Sequence, residues 1–252
     1  MIGLSAFFYL AGAQLAPTDA LNAALNDAEP PPSMRAAFRA TISGEGAERR
    51  IQYDPLQPPG KRFRLLARIG ENEELDKIVD DWAQERQPDV RLFADDLRAS
   101  LGRGRMTQQE DGGWAVMFEH RLSDNDGPVD AMLSQRMSGS LSLNPATGTI
   151  SKLEYSINAP FKTEDGSLVD EYRQVYSFGR SKQWGVTFVT GYDLYASGGR
   201  FGLRDSRQFN VKVTDVAFTL AGDSQQILVS KNAPEHRPEN QQADVWARAD
   251  LN

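Results

Sequence analysis

LSLNPATGTISKLEYSIN, Leu141 to Asn158, decides the fold class. Leu141 and Leu143 alternate with serines, and Leu153, Tyr155 and Ile157 alternate again further on. Between them lies Asn144-Pro145-Ala146-Thr147-Gly148, a run of residues that pre-set turn geometry. Side chains two apart share one face of a strand, so the stretch predicts two antiparallel strands joined by a tight turn. The rhythm continues from Gly113 to Leu220. Trp114, Val116, Phe118 and His120 share one parity before the hairpin. Tyr172, Tyr176 and Phe178 follow it, then Trp184, Val186 and Phe188, with breaks at Thr163–Ser167 and Gly198-Gly199. Phe209, Val211 and Val213 keep one parity, whereas Val216, Phe218 and Leu220 keep the other. That switch predicts a β-bulge near Thr214 and Asp215. Val129–Arg136 fits a short helix or a strand.

Upstream, Thr18 caps a short helix through about Asp27, with Leu21, Ala24, Leu25 and Ala28 on one face and Pro30–Pro32 beyond its end. Met34, Phe38, Ala40 and Ile42 line one side of a strand, opposite Arg35, Arg39 and Thr41. Gly44-Glu45-Gly46 turns it into a second arm at Arg49–Tyr53. A Pro-rich loop, Asp54–Gly60, leads to a strand over Lys61–Arg68 with Phe63 and Leu65 on one face. Two helices follow. Asn72 caps the first, whose stripe is Leu75, Ile78, Val79 and Trp82, and Pro88 stops it. Asp89 caps the second, with Val90, Phe93, Leu97 and Leu101 as its stripe and Gly102 as its terminal glycine. The expected fold is α+β: a curved antiparallel sheet, an incomplete β-barrel, with two or three helices packed on one face. Residues 14–221 are expected to form a single domain carrying a helical insert at 71–101. Residues 222–252 read as a polar, poorly ordered C-terminal tail, in which Trp246 docks locally at most.

The 252 residues suffice for a sizeable core, and the formal net charge of −7 gives no electrostatic reason to bind nucleic acid. Lys61, Arg62, Arg64 and Arg68 form a local basic group that reads as a solvated strand face. With no cysteine, disulfides, thiolate catalysis, cysteine-held metals and lipidation at an N-terminal cysteine are excluded. The opening MIGLSAFFYLAGA is apolar or small throughout and ends in Ala11-Gly12-Ala13, the A-x-A form of a signal-peptidase site, although it carries no Lys or Arg. It is shorter than the about 20 residues a transmembrane helix needs. Residues 1–13 are therefore expected to be a signal peptide removed near Ala13, leaving a periplasmic or secreted bacterial protein without a transmembrane segment.

Catalytic signatures fail one by one. No G-x-S-x-G elbow is present, and no lysine has a serine three residues before it. Gly60-Lys61 is followed by Arg62, which breaks a phosphate loop. Of the two histidines, His236 lies in the tail, and His120 reads as a hydrogen-bonded residue at the core's edge. Asp124-Asn125-Asp126-Gly127 lacks the ligand spacing of a calcium loop, because Leu122 and Leu133 occupy positions one and twelve. Asp80, Asp81, Asp95 and Asp96 sit on the solvated faces of the expected helices. No catalytic, metal-binding or cofactor-binding residue is singled out, and the ligand-binding residues are unknown at this level. What stands out is the aromatic content, 12 Phe, 7 Tyr and 4 Trp, concentrated in the strands. A curved sheet with such a concave face suits an apolar ligand, and a closed core satisfies the same pattern equally well.

Tyr53-Asp54-Pro55-Leu56-Gln57-Pro58-Pro59-Gly60-Lys61-Arg62-Phe63-Arg64-Leu65-Leu66 resembles a signature, YDPxxPxGxRFxLL, of exported bacterial proteins of uncharacterised activity. The element order is remotely similar to the periplasmic lipoprotein-carrier fold, with the short helix before Met34–Ser43 and the Leu143–Ile150 hairpin carrying the likeness. That resemblance implies an incomplete β-barrel whose helix-covered cavity binds acyl chains, and it transfers no site residue. The expected function is a non-enzymatic exported protein binding a lipid or other apolar ligand on its concave face. An envelope protein–protein interaction module is the alternative, and a hydrolase with an unlocated carboxylate pair the third reading.

Overall fold

The protein is described by a computed structural model over residues 17–94, 97–122, 128–163, 166–200 and 203–220. The expected leader at 1–13, the tail at 222–252 with His236 and Trp246, the Asp124–Gly127 turn, and Asp95 and Asp96 lie outside the described residues.

Helix α1 spans Pro17–Ala28. Proline suits a first helical position, where its missing N–H costs nothing, so Thr18 lies inside the first turn rather than capping it. Ala20, Ala24, Leu25 and Ala28 are buried. Strands β1 (Met34–Gly44) and β2 (Ala47–Tyr53) form a hairpin that turns at Glu45 and Gly46, with φ of 49° and 78°. Two positive φ values give the mirror-image turn whose twist matches that of the strands. Strand β3 (Phe63–Ile69) precedes helix α2 (Glu73–Gln84). Asn72 caps α2 as expected, its Oδ1 accepting from Leu75 N at 2.9 Å.

The second expected helix does not form as one element. Pro88–Leu92 is a 3-10 turn, α3 covers only Leu97–Ser100, and Leu101 opens strand β4 (Leu101–Gln108). Two tertiary effects override the periodicity. Asp89 does not cap a helix, because Arg35 and the Ala36 N–H draw its carboxylate into the core. Gly102 and Gly104 pass close to strand β5 (Trp114–His120), where a Cβ would stand 2.4 Å from Glu119 O and 2.9 Å from Met117 O. They belong to a strand, and Val90, first in the supposed stripe, is exposed.

Helix α4 (Pro128–Leu133) and a 3-10 turn at Ser134–Arg136 settle the ambiguous segment as helical. Strands β6 (Met137–Leu143) and β7 (Ile150–Ile157) flank the expected turn. Asn144 organises that turn: its Oδ1 accepts from Ala146 N at 2.8 Å, and its backbone N–H donates to Thr149 O at 2.8 Å. Strands β8 (Phe161–Lys162), β9 (Leu168–Arg180), β10 (Thr187–Arg200) and β11 (Leu203–Leu220) complete the described residues. Trp184 sits in the β9–β10 turn rather than in a strand. Gly198 and Gly199 do not break the chain but lie within β10, paired on both sides, with a register shift at Ser197/Gly198.

The strands form one antiparallel sheet in the order β3-β2-β1-β11-β10-β9-β7-β6-β5-β4, with β8 added beside β9. It stays open, because β3 and β4 are edges. Register shifts bend it at several seams. At Arg39/Ala40 the partners jump from Asp215 to Val213, leaving Thr214 as the extra residue, where the parity switch places it. Helices α1 and α2 and the 3-10 turn pack on the concave side, which makes this the curved α+β sheet expected.

Candidate functional site

One row of paired residues explains the concave face. Leu153 of β7 pairs with Tyr176 of β9, Tyr176 with Tyr192 of β10, Tyr192 with Val211 of β11, and Val211 with Ile42 of β1. The row continues from Ile42 to Arg49 of β2 and from Arg49 to Arg68 of β3. Paired residues project to one side of a sheet, so the inner surface is apolar and aromatic at its centre and cationic toward β3. Tyr176 and Tyr192 meet at a tilt with ring centroids 4.9 Å apart, and Tyr192 meets Phe209 at 5.7 Å.

Over the apolar centre lies a cavity of about 760 Å³. Its floor is this aromatic patch with Phe178, Val189 and Val213. Its roof is the chain between β3 and β4: Ile78 and Trp82 from α2, then Val90–Ala94 and Leu97. The helices are therefore held off the sheet in the middle while packing tightly around it. Trp82 meets Phe38 edge-on at 6.2 Å, and Phe93 lies 5.9 Å from Phe218.

A buried ionic latch fixes the roof. Arg35 donates to both oxygens of Asp89, at 2.6 and 2.7 Å, and also to Tyr53 Oη at 2.9 Å. The same carboxylate accepts from Ala36 N at 3.0 Å, so the 3-10 turn is bonded to side chain and backbone of β1 together. The hydrogen bond to Asp89 holds the Arg35 guanidinium above its ordinary pKa against the opposing effect of burial. Burial, and then the Asp89 charge, push the Tyr53 hydroxyl up as well.

A second anchor holds the start of α2. Arg49 is fully buried, donating to Asp76 Oδ1 at 2.7 Å and to the carbonyls of Glu48, Ile69 and Gly70 at 2.9, 2.9 and 3.1 Å. Its hydrogen bond, with the nearby charge of Arg68, lowers the Asp76 pKa. Sequence reading missed both anchors. The available signal was Arg49 itself, a cation on the buried parity of Ile51 and Tyr53.

Besides Gln174 and the floor residues Tyr176 and Tyr192, polar side chains line the cavity at its exposed wall and in its interior. At the exposed wall, Arg91 lies over the Trp82 ring at 5.4 Å and donates from Nε to both oxygens of Glu85 at 2.9 Å, with exposed Asp81 beside them. Burial lowers the Arg91 pKa, but Glu85 more than offsets this and leaves it raised. In the interior, Ser100 Oγ donates to Leu97 O at 2.9 Å and lies 3.2 Å from Tyr155 Oη. His120 packs edge-on against Tyr155, with ring centroids 5.0 Å apart, in phase with Phe118 as its parity predicts.

Asp80 is exposed on α2; of the expected cationic strand face, Lys61 and Arg62 precede β3, whereas Arg64 and Arg68 lie on it opposite Gln52 and Arg49, on different faces. Leu65 departs from expectation. It does not anchor its strand in the core but is 47% exposed, because β3 is an edge that α2 does not fully cover. Among the described residues no cluster of three or more acids or histidines is placed to hold a metal, and no helix is long and apolar enough to cross a membrane.

No protein-family model matches the chain, and no curated protein is found similar to it. Among solved structures, a chain from "Crystal structure of MucB in complex with MucA(peri)" is similar at 11% identity. The match covers 79% of this chain and 94% of that one, with a TM-score of 0.21. So loose a match leaves both sequence resemblances as resemblances, and the site rests on this chain's own residues.

Proposed function

We propose that this is a non-enzymatic exported bacterial protein that holds a lipid or other apolar ligand between its concave sheet face and the chain joining β3 to β4. The observation that carries the reading is the cavity. Its volume of about 760 Å³ falls within the ~300–1,000 Å³ of small-molecule sites. Its floor offers aromatic and aliphatic area with few directional polar groups, which suits a ligand held at about 25 cal/mol per Å² of buried apolar surface. The leader-like residues 1–13 support an envelope location. In this reading residues 14–221 act as one domain with 71–101 as its insert, followed by the 222–252 tail.

Native mass spectrometry of protein isolated from its own envelope tests the proposal, together with displacement of an apolar fluorescent probe. Wild type is expected to carry lipid. Val211→Phe, which fills the floor, is expected to bind the probe at least tenfold more weakly with a nearly unchanged unfolding midpoint. A lipid-free protein whose Val211→Phe variant binds the probe as well as wild type would sink the reading.

An envelope interaction module is the second reading, favoured by the apolar side chains exposed along β3. The hydrolase reading finds less support. Asp81 and Glu85 are the acids at the cavity among the described residues, they come from the same wall, and Glu85 is engaged by Arg91.

A further inference from the structure

The sheet's two edges are finished differently. Strand β4 reads LGRGRMTQ, with Arg103 and Arg105 exposed and no large apolar side chain prominent on its surface. Glycine and charge of this kind blunt an edge against further pairing. Strand β3 reads FRLLARI and exposes Leu65, Leu66 and Ile69 at 47%, 44% and 49%. Leu56, in the loop leading to it, is exposed at 46%. Among the described residues no strand pairs with the outer side of β3, so that ladder of N–H and C=O groups stands open. The register shift at Arg50/Ile51 leaves Leu66 as the extra residue between Leu65 and Ala67. Leu65 stays on the inner side with its partner Ile51.

Charge distinguishes this edge further. In a chain of net charge −7, Lys61, Arg62 and Arg64 gather at the start of β3. Nearby carboxylates do little to neutralise them. Asp76 pairs with Arg49 and Arg68, Glu48 pairs with Arg50, and Asp54, whose carboxylate accepts from Leu56 N and Gln57 Nε2, carries one negative charge against the three cations.

We propose that the outer edge of β3 binds an extended, acidic segment of a partner protein, which joins the sheet as an added strand. The open backbone ladder calls for a strand, Leu65, Leu66 and Ile69 offer apolar contacts to its side chains, and Lys61, Arg62 and Arg64 select carboxylates. A second copy fits poorly. Antiparallel β3–β3 pairing about Leu66 sets Arg64 of each copy opposite Arg68 of the other, and like charges in that position are destabilising. A membrane surface would meet the leucines and cations, but it would leave the open ladder without partners where the leucines insert. The inference is independent of the cavity and stands or falls separately from it.

The test uses the full chain and fluorescence anisotropy with three eight-residue peptides: Val alternating with Glu, Val alternating with Lys, and the Glu peptide N-methylated at every amide. The Glu peptide is expected to bind at least tenfold more tightly than the other two. Arg64→Glu should reverse the preference toward Lys, and Leu66→Asp should weaken binding at least tenfold, both without shifting the unfolding midpoint appreciably. Equal binding of all three peptides, or none, overturns the proposal. So does a concentration-dependent dimer of the wild type in sedimentation that Leu66→Asp abolishes. Binding to anionic phospholipid vesicles without any peptide preference, or peptide binding that arises only after removal of residues 221–252, overturns it equally.

Discussion

Two ionic clusters tie this sheet together, one on each face. Inside, Arg35, Asp89 and Tyr53 join β1 to the roof, with the Asp89 side chain 1% exposed. Outside, Glu154 of β7 accepts from Lys152 Nζ at 2.6 Å and from Arg173 Nε of β9 at 2.7 Å, and the three side chains are 22–48% exposed. The chemistry is the same, yet the structural roles differ. The outer cluster links strands already joined by a backbone ladder. The inner one joins a short 3-10 turn, with little periodic structure of its own, to the sheet. Water supports the outer charges when a partner is lost, but it reaches Asp89 poorly.

That contrast orders the expected effects. Asp89→Ala is expected to cost about 3–5 kcal/mol in urea unfolding, because it leaves Arg35 without its buried partner and loosens the roof. A loss under 1 kcal/mol would mean that the latch does not hold. Arg49→Met comes next, at about 2–3 kcal/mol, since it strips hydrogen bonds from the carbonyls of Glu48, Ile69, Gly70 and Asn72 while Asp76 keeps Arg68. An unchanged midpoint would argue against that anchor. Glu154→Gln should cost about 1 kcal/mol or less at neutral pH, as exposed pairs do.

The outer cluster also has a pH signature. Hydrogen bonding from Arg173, then Lys152, lowers the Glu154 pKa to about 2 from an ordinary 4.5. A lowered folded-state value stabilises the protein fully above 4.5 and loses that contribution as pH falls toward 2. Asp76, lowered by Arg49, acts in the same direction. Stability of the wild type should therefore fall more steeply below pH 4.5 than that of Glu154→Gln. Parallel curves would show the outer pairing to be energetically silent. The smallest effect is expected for Arg39→Ser, whose 3.6 Å contact with Asp215 is exposed and should contribute within about ±0.5 kcal/mol.

Period-two patterns made most of the sheet legible, since a strand's burial is written in its own alternation. The Asn144–Gly148 turn and the Thr214 bulge could be placed because each depends on residues adjacent in the chain. Legibility ended where distant groups compete. Asp89 has the composition of a helix cap, but Arg35, far away in sequence, claims its carboxylate. Gly102 looks like a helix stop, although the backbone of β5 is what requires it. Leu65 alternates like a core residue, and only the strand order shows that it sits at an edge. The inner face of the cavity could be read from parity. The cavity itself could not, because whether a roof touches or spans its floor depends on side-chain sizes across several elements.

The row from Leu153 to Arg68 crosses a seam where β1 meets β11, the first and last strands of the described residues. Everything between them must be made before that seam can close. Non-local pairing of this kind slows folding into the millisecond-to-second range, which stopped-flow refolding would measure. Until β11 arrives, Phe38 and Ile42 have only the neighbouring hairpin to shelter them. A chain stopped before Leu203 is therefore not a smaller version of the protein. It is two unjoined sheets, each with a raw hydrophobic margin, and its natural fate is aggregation rather than partial function.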